Sequence, residues 1–269
     1  MSSVWCCGSN GKGQLGVGDK DDYDHMVKVS IEGLAAPIVQ ICFGGNHTLL
    51  RTESGQVYST GDNSQGQCNG NQSTIFLPIY GEWAHISCGW EYSVFVDHKN
   101  DVYVCGNGPK GELGLGNEVM KAPKLTKIPF EFPDKIVDIK SSVSHTVAQL
   151  KNGHIYGWGV SRKGQLGPDR AKSTWTPTRL IHGIDNPVQF ALGRDFTVLH
   201  DGTKLEVLGG NERFPGLENV GGNIYHIYTM WSSIHVVTDK GLLSFGNNRH
   251  GQLLGNDFAG KFEADRKSG

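Results

Sequence analysis

Two glycine-punctuated motifs alternate along this chain, and their alternation constrains the fold more than any other feature. The first has the form G-x-N-x-x-G-Q-L-G. It occurs at residues 8–16 (GSNGKGQLG), 61–67 (GDNSQGQ), 106–114 (GNGPKGELG), 159–167 (GVSRKGQLG) and 246–253 (GNNRHGQL), with a worn copy beginning at Gly209. The second is G-x-x-(His or aromatic)-(Ser or Thr) followed by apolar residues. Its copies are residues 44–48 (GGNHT), 89–93 (GWEYS) and 193–197 (GRDFT), and weaker ones are 142–146 (SVSHT) and 230–234 (MWSSI). After four of the second motifs a turn such as Ser54-Gly55 or Asn152-Gly153 leads into another alternating run, a hairpin signal because such turns need φ > 0.

Each unit therefore predicts about four short strands in roughly fifty residues. One such antiparallel sheet cannot bury both faces alone, so the units must stack on their neighbours. Radial stacking gives an all-β propeller with short, protected edges. Composition agrees. Thirty-eight glycines in 269 residues is about twice the usual ~7%, and glycine costs ~1 kcal/mol per interior helical position. No Gly-X-Y period supports collagen, and no Trp-Asp dipeptide supports the WD version of a propeller.

The motif pair resembles the repeat of the regulator of chromosome condensation family, whose members are seven-bladed propellers. The resemblance covers essentially residues 4 to 256 and implies five full repeats plus part of a sixth. Repeats are thus expected over 1–257, with 258–269 a polar, disordered tail. Seven such units need more residues than this chain has, so an incomplete or C-terminally truncated ring is expected. The stretches 42–50 (CFGGNHTLL), 87–96 (SCGWEYSVFV), 156–166 (YGWGVSRKGQL), 191–198 (ALGRDFTV) and 230–235 (MWSSIH) further resemble the fungal alpha-tubulin-suppressor, or killer-toxin-insensitivity, branch of that family.

That narrower likeness implies a non-enzymatic scaffold. It would form a heterodimer with a small zinc- or iron-binding protein of diphthamide biosynthesis. Through that partner it would support Elongator-dependent tRNA wobble-uridine modification, in both cytoplasm and nucleus. In exchange-factor members of the family, the loops of the second motif supply acidic and histidine contacts to a small GTPase. Here the first variable position reads Gly45, Trp90, Val143, Arg194 and Trp231, none acidic, so exchange on a GTPase is the alternative reading. A link to microtubules rests on the branch name alone.

Trp90, Glu91, Arg194, Asp195, Trp231 and His235 are the candidate protein-binding residues, since Trp and Arg are enriched in interaction hot spots. His47 and His145 read as packing or hydrogen-bonding elements, because Tyr92 and Phe196 replace them in sister repeats. Nothing suggests catalytic, cofactor or metal chemistry. There is no G-x-x-x-x-G-K-(S/T), H-E-x-x-H or G-x-S-x-G, and the acidic run 21–24 reads as a solvated loop. The six cysteines form no C-x-x-C pair and read as small buried hydrophobes, with Cys6 and Cys7 included. Twenty-five Lys and Arg against 27 Asp and Glu leave no field drawing the chain to nucleic acid, and no stretch is apolar enough for a membrane span.

Overall fold

A computed structural model describes residues 3–168, 171–180, 183–184, 187–210, 214–249 and 253. The anticipated tail lies outside them, as do most residues of the last G-Q-L stretch. The chain opens with β1 (Val4–Gly8) and β2 (Tyr23–Val29), an antiparallel pair that forms a two-stranded sheet. Five meanders follow, each paired in sequence order. Blade 1 is β3 (Ile38–Phe43), β4 (His47–Thr52), β5 (Val57–Gly61) and β6 (Ser73–Ile79). Blade 2 is β7 (Trp83–Cys88), β8 (Tyr92–Asp97), β9 (Val102–Asn107) and β10 (Lys121–Lys127). Blade 3 is β11 (Ile136–Ser141), β12 (His145–Leu150), β13 (Ile155–Val160) and β14 (Ser173–Arg179). Blade 4 has three strands among the described residues, β15 (Gln189–Leu192), β16 (Phe196–His200) and β17 (Leu205–Gly209). Blade 5 likewise has β18 (Ile224–Thr229), β19 (Ser233–Thr238) and β20 (Gly241–Gly246). This is the propeller architecture that the repeat predicts.

The core is divided among the interfaces between blades. Leu49 and Val57 of blade 1 pack with Trp83, Ile86 and Phe95 of blade 2, and Val94 and Val104 of blade 2 pack with Ile136 and Ala148 of blade 3. Val147 and Ile155 meet Phe190 and Leu199, and Phe196 and Val198 meet Ile227 and Ile234. Val29 and Phe76 join the first sheet to blade 1. Each sheet buries its faces only against the next, so the structure is a chain of nearest-neighbour contacts. The two-stranded sheet leaves more exposed. Trp5 and Cys7 lie open to solvent, which corrects the expectation that both vicinal cysteines are buried: with two strands in place of four, alternate residues of β1 have no sheet to cover them.

The two motifs lie together at one end of the propeller, because in a four-strand meander the first and third turns share an end. The backbone joins them. The Asp62 amide donates to the Asn46 carbonyl at 2.8 Å, Asn107 to Glu91 at 2.8 Å and Val160 to Ser144 at 2.8 Å. Gly106 has φ 115°, and a Cβ there would overlap the Glu91 carbonyl oxygen. The leading glycine of the first motif is therefore set by the close passage of the second.

Candidate functional site

Within the first motif the side chains fold the turn. Asn63 Oδ1 accepts from the Cys68 amide at 2.8 Å, as Asn10 Oδ1 does from Leu15 at 3.0 Å. Gln67 and Gln165 accept from the amides two residues earlier, at 3.0 and 2.9 Å, and Glu112 does the same at 2.6 Å. Burial holds the Glu112 carboxyl above its ordinary pKa. The turn then reaches the following blade: Thr48 Oγ1 donates to the Gln14 carbonyl, Thr197 Oγ1 to that of Gln165, and Trp158 Nε1 to that of Glu112.

The second motif forms a relay from blade to blade. His47 Nε2 lies 2.9 Å from Ser93 Oγ, the Tyr92 hydroxyl 3.1 Å from Thr146 Oγ1, and His145 Nε2 3.2 Å from Thr197 Oγ1. Phe196 cannot continue the relay, and the residue opposite it is Ile234, with which it packs. Burial drives the pKa of His47 down to about 4 and that of His145 to about 3, so both are neutral rings at physiological pH. They hold blades together. Ser93, Thr146 and Thr197, which complete the relay, are the Ser or Thr of the motif itself, and the sequence marks their position without showing that each reaches the ring residue of the blade before it.

The variable tips of the second motif are tied to those of neighbouring blades. The Gly45 amide donates to the Trp90 carbonyl at 2.9 Å, Trp90 to Val143 at 3.2 Å and Arg194 to Trp231 at 3.2 Å. Above this backbone, Trp90 of blade 2 meets Trp231 of blade 5 edge-on, with ring centroids 5.6 Å apart. The Arg194 guanidinium lies 5.3 Å from the Trp231 ring centroid and 3.5 Å from the Asp195 carboxylate. Trp90 is 43% exposed and Trp231 49%, enough for both indoles to meet a partner. With Phe43, Val143 and Met230 they line a cavity of about 210 Å³. The five innermost strands line an open cavity of about 630 Å³ that includes Cys42, Ser87, Asp138, Gln189 and Tyr228.

Of the six residues singled out in the sequence, the structure brings Trp90, Glu91, Arg194, Asp195 and Trp231 to this one rim. Glu91 Oε2 accepts from Asn107 Nδ2 at 2.9 Å. His235 lies inside β19, its two ring nitrogens 3.0 Å from Ser233 Oγ and 2.8 Å from Ser244 Oγ of its own blade. No group of three or more metal-ligating side chains occurs among the described residues.

The geometry exposes an error in the reading of the second motif. Scanning its first variable position found no acid, yet the second position carries Glu91 and Asp195, and both sit on the rim beside the tryptophans. A scan of the first variable position alone therefore leaves the carboxylates of these loops uncounted.

Comparisons with known proteins identify the repeat. The description "Regulator of chromosome condensation (RCC1) repeat" matches residues 38–67 in one form and 2–50, 99–149 and 152–199 in another. An RCC1 repeat-containing protein of Schizosaccharomyces pombe is 31% identical over 267 residues, covering 89% of this chain and 75% of that protein. A secretion-regulating guanine nucleotide exchange factor of Mus musculus is 25% identical, covering 93% of this chain and 49% of its own length. This chain thus spans about half of that exchange factor. The crystal structure of Prp20p from Saccharomyces cerevisiae shares the fold, with a TM-score of 0.77 at 19% identity, over 90% of this chain and 65% of that one.

These relatives overturn the killer-toxin-insensitivity likeness and what was drawn from it. The non-enzymatic scaffold, the metal-binding diphthamide partner, Elongator and tRNA modification are withdrawn. The short stretches behind them are variations on the repeat itself, and the chain belongs to the RCC1 repeat family.

Proposed function

We propose that this propeller promotes guanine-nucleotide exchange on a small GTPase, using the rim of loop tips that carries Trp90, Glu91, Arg194, Asp195 and Trp231. The observation that carries this reading is the rim itself: two carboxylates and two half-exposed indoles on loops cross-linked by backbone hydrogen bonds. An exchange factor acts by binding the nucleotide-free state of its partner more tightly than the loaded state. By linkage, the partner's nucleotide affinity falls by the same factor. A surface that does this must be rigid, or the differential binding is spent on ordering the surface. The inter-blade amide bonds supply that rigidity. Carboxylates suit the task, because a GTPase that loses its nucleotide exposes the lysine and backbone amides that held the phosphates.

Two relatives support the reading by name. The mouse relative is called an exchange factor, and Prp20p is described by its binding to Gsp1p and histones. The histone binding of Prp20p also supports a nuclear place of action for this chain; the cytoplasmic half of the earlier expectation has no comparable support. The test is release of a fluorescent guanine nucleotide from a panel of purified small GTPases. Acceleration by the wild-type chain, reduced in the double variant E91Q/D195N, is the expected result. No acceleration on any member overturns the reading.

A further inference from the structure

The two-stranded sheet differs from the blades in one repeated pairing. In each of the five blades, the strand that ends in the leading glycine of the first motif pairs with the strand that the second motif opens: β5 with β4, β9 with β8, β13 with β12, β17 with β16 and β20 with β19. β1 holds the same place in the repeat, since it ends at Gly8 and runs into the first copy of that motif. Among the described residues it pairs with β2 alone, and its other edge carries no strand.

The backbone of β1 is nevertheless shaped for that pairing. Gly61, Gly106, Gly159 and Gly246 have φ between 102° and 117°, and a Cβ at any of them would overlap the carbonyl oxygen of Asn46, Glu91, Ser144 or Ser232 respectively. Gly8 has φ 112°, inside that range, yet a Cβ there would meet nothing within 4 Å. The amide that follows each of the four glycines donates to the same carbonyl, at 2.8 to 3.2 Å, whereas no such bond starts from Ser9 among the described residues. Burial agrees. Thr60, Cys105, Trp158, Leu208 and Phe245 each precede a leading glycine and are buried, while Cys7 at that position is exposed.

Blade 1 supplies the facing wall. Ser93, Thr146 and Thr197 each meet a ring residue of the blade before, but Thr48, at the same position, is reached by none among the described residues. Thr48 lines a cavity of about 260 Å³ with Trp5, Cys7, Leu15, Ile41 and Phe43. Trp5, Ile41 and Phe43 are exposed. Natural sheets guard a free edge with charges or proline, and Val4–Gly8 carries neither.

We infer that β1 and this cavity take up a β-hairpin of a partner protein by strand addition. The hairpin would have the pattern of the chain's own second motif: a turn, a His or Tyr, a Ser or Thr, then apolar residues. Main-chain bonds to the edge of β1 supply affinity, and side-chain pockets supply selection. The ring residue faces Gly8 and reaches Thr48, and the apolar residues after it fill the cavity. A second copy of the chain could offer such a hairpin only by opening a blade, because its five second motifs are already paired. The surface also continues an interface that the fold uses, since Val29 and Phe76 pack the same sheet onto blade 1. The inference needs neither Trp90 nor Trp231, so it does not rest on the exchange reading.

The probe is a fluorescent peptide of residues 136–150, the β11–β12 hairpin, which contains His145 and no cysteine. A scrambled peptide is the control. Binding to the full chain is followed by anisotropy, and access to Cys7 by timed alkylation and mass spectrometry. The hairpin peptide should bind and slow alkylation of Cys7 at least about fivefold, because thiol reactivity requires access. The scrambled peptide should do neither. Cys7→Asp sets an unpaired carboxylate in the new contact and should weaken binding at least about tenfold. Tyr80→Asp, at an exposed aromatic outside the cavity, should change it by less than about twofold. No binding by wild type, equal losses in the two variants, or bound peptide that leaves Cys7 as reactive as before would each overturn the inference. A dimer of the free chain in sedimentation with Cys7 already shielded would overturn it too, by making a second copy the occupant. No readout involves a nucleotide, so failure here is distinct from failure of the exchange reading.

Discussion

His145 of blade 3 and Thr197 of blade 4, both buried, meet at 3.2 Å between Nε2 and Oγ1, and the same hydroxyl donates to the Gln165 carbonyl at 2.8 Å. One hydroxyl therefore joins the second motif of one blade to both motifs of the blade before it. Thr197→Val keeps the shape and removes both bonds, leaving a buried carbonyl and a buried imidazole short of a partner. Such losses cost about 1–3 kcal/mol, which denaturant unfolding would detect as a lower midpoint at unchanged slope.

The buried histidines make stability depend on pH in a defined direction. Burial disfavours the imidazolium, so the folded pKa values, about 3 for His145 and about 4 for His47, lie below the 6.5 of a free ring. As pH falls, the unfolded chain takes up these protons first. The contribution of the neutral rings is fully present above about 6.5 and is lost progressively on acidification toward the folded values. At pH 4 the His145 contribution lost is on the order of 3 kcal/mol. His145→Phe, which copies Phe196 of the next blade, should flatten the decline of melting temperature between pH 7 and pH 4. An unchanged slope would assign the acid sensitivity to other groups.

Gly106 and Gly116 separate two reasons for using glycine. Both have positive φ, 115° and 91°, but a Cβ at Gly106 would overlap the Glu91 carbonyl, whereas at Gly116 it would meet nothing within 4 Å. Gly116→Ala should cost about 1 kcal/mol, the penalty of the backbone conformation alone. Gly106→Ala should cost more than about 2 kcal/mol, because the loop carrying the Glu91 rim contact must shift as well. Thermal melts of the two variants would show the difference.

The propeller was legible in the sequence because its repeat is written in backbone requirements. A leading glycine that must pass a carbonyl, and an Asn and Gln that must bond a turn, leave little freedom of residue type. Which residues converge at the rim could also be read, since position in the repeat sets position in the ring. Two things were not legible. Glu91 and Asp195 could be named as candidates, but the side chains they lean on, Asn107 and Arg194, are seen only in the geometry. The pairing of Trp90 with Trp231 links non-adjacent blades across the axis, a contact with no trace in local spacing.

Trp90 and Trp231 also carry the prediction for activity. Each indole supports the other, and Arg194 lies over one of them, so their removal flattens the rim without reaching the buried cores between blades. Trp231→Ala should leave melting temperature within about 2 °C of wild type, as expected for a change of under ~0.5 kcal/mol at the surface. It should lower the catalytic efficiency of nucleotide release at least tenfold, equivalent to about 1.4 kcal/mol of lost differential binding. A loss of efficiency matched by a loss of stability would assign Trp231 to the fold.

Cysteine reactivity should follow the same division between blade interior and open first sheet. Cys68, Cys88 and Cys105 are buried, and burial raises all three thiols, Cys68 to about 12. Cys7 is exposed, and Cys6, partly buried beside it, is also raised, first by burial and then by its neighbour. Since the thiolate is the nucleophile, the buried groups are shielded both by access and by protonation. Alkylation of the native chain at neutral pH should therefore modify Cys7 first, and Cys68, Cys88 and Cys105 only on unfolding. Mass spectrometry after timed quenching would order the sites. Early modification of Cys105 would mean that blades 1 and 2 separate in the native state, since its thiol donates to the Gln67 carbonyl across that interface.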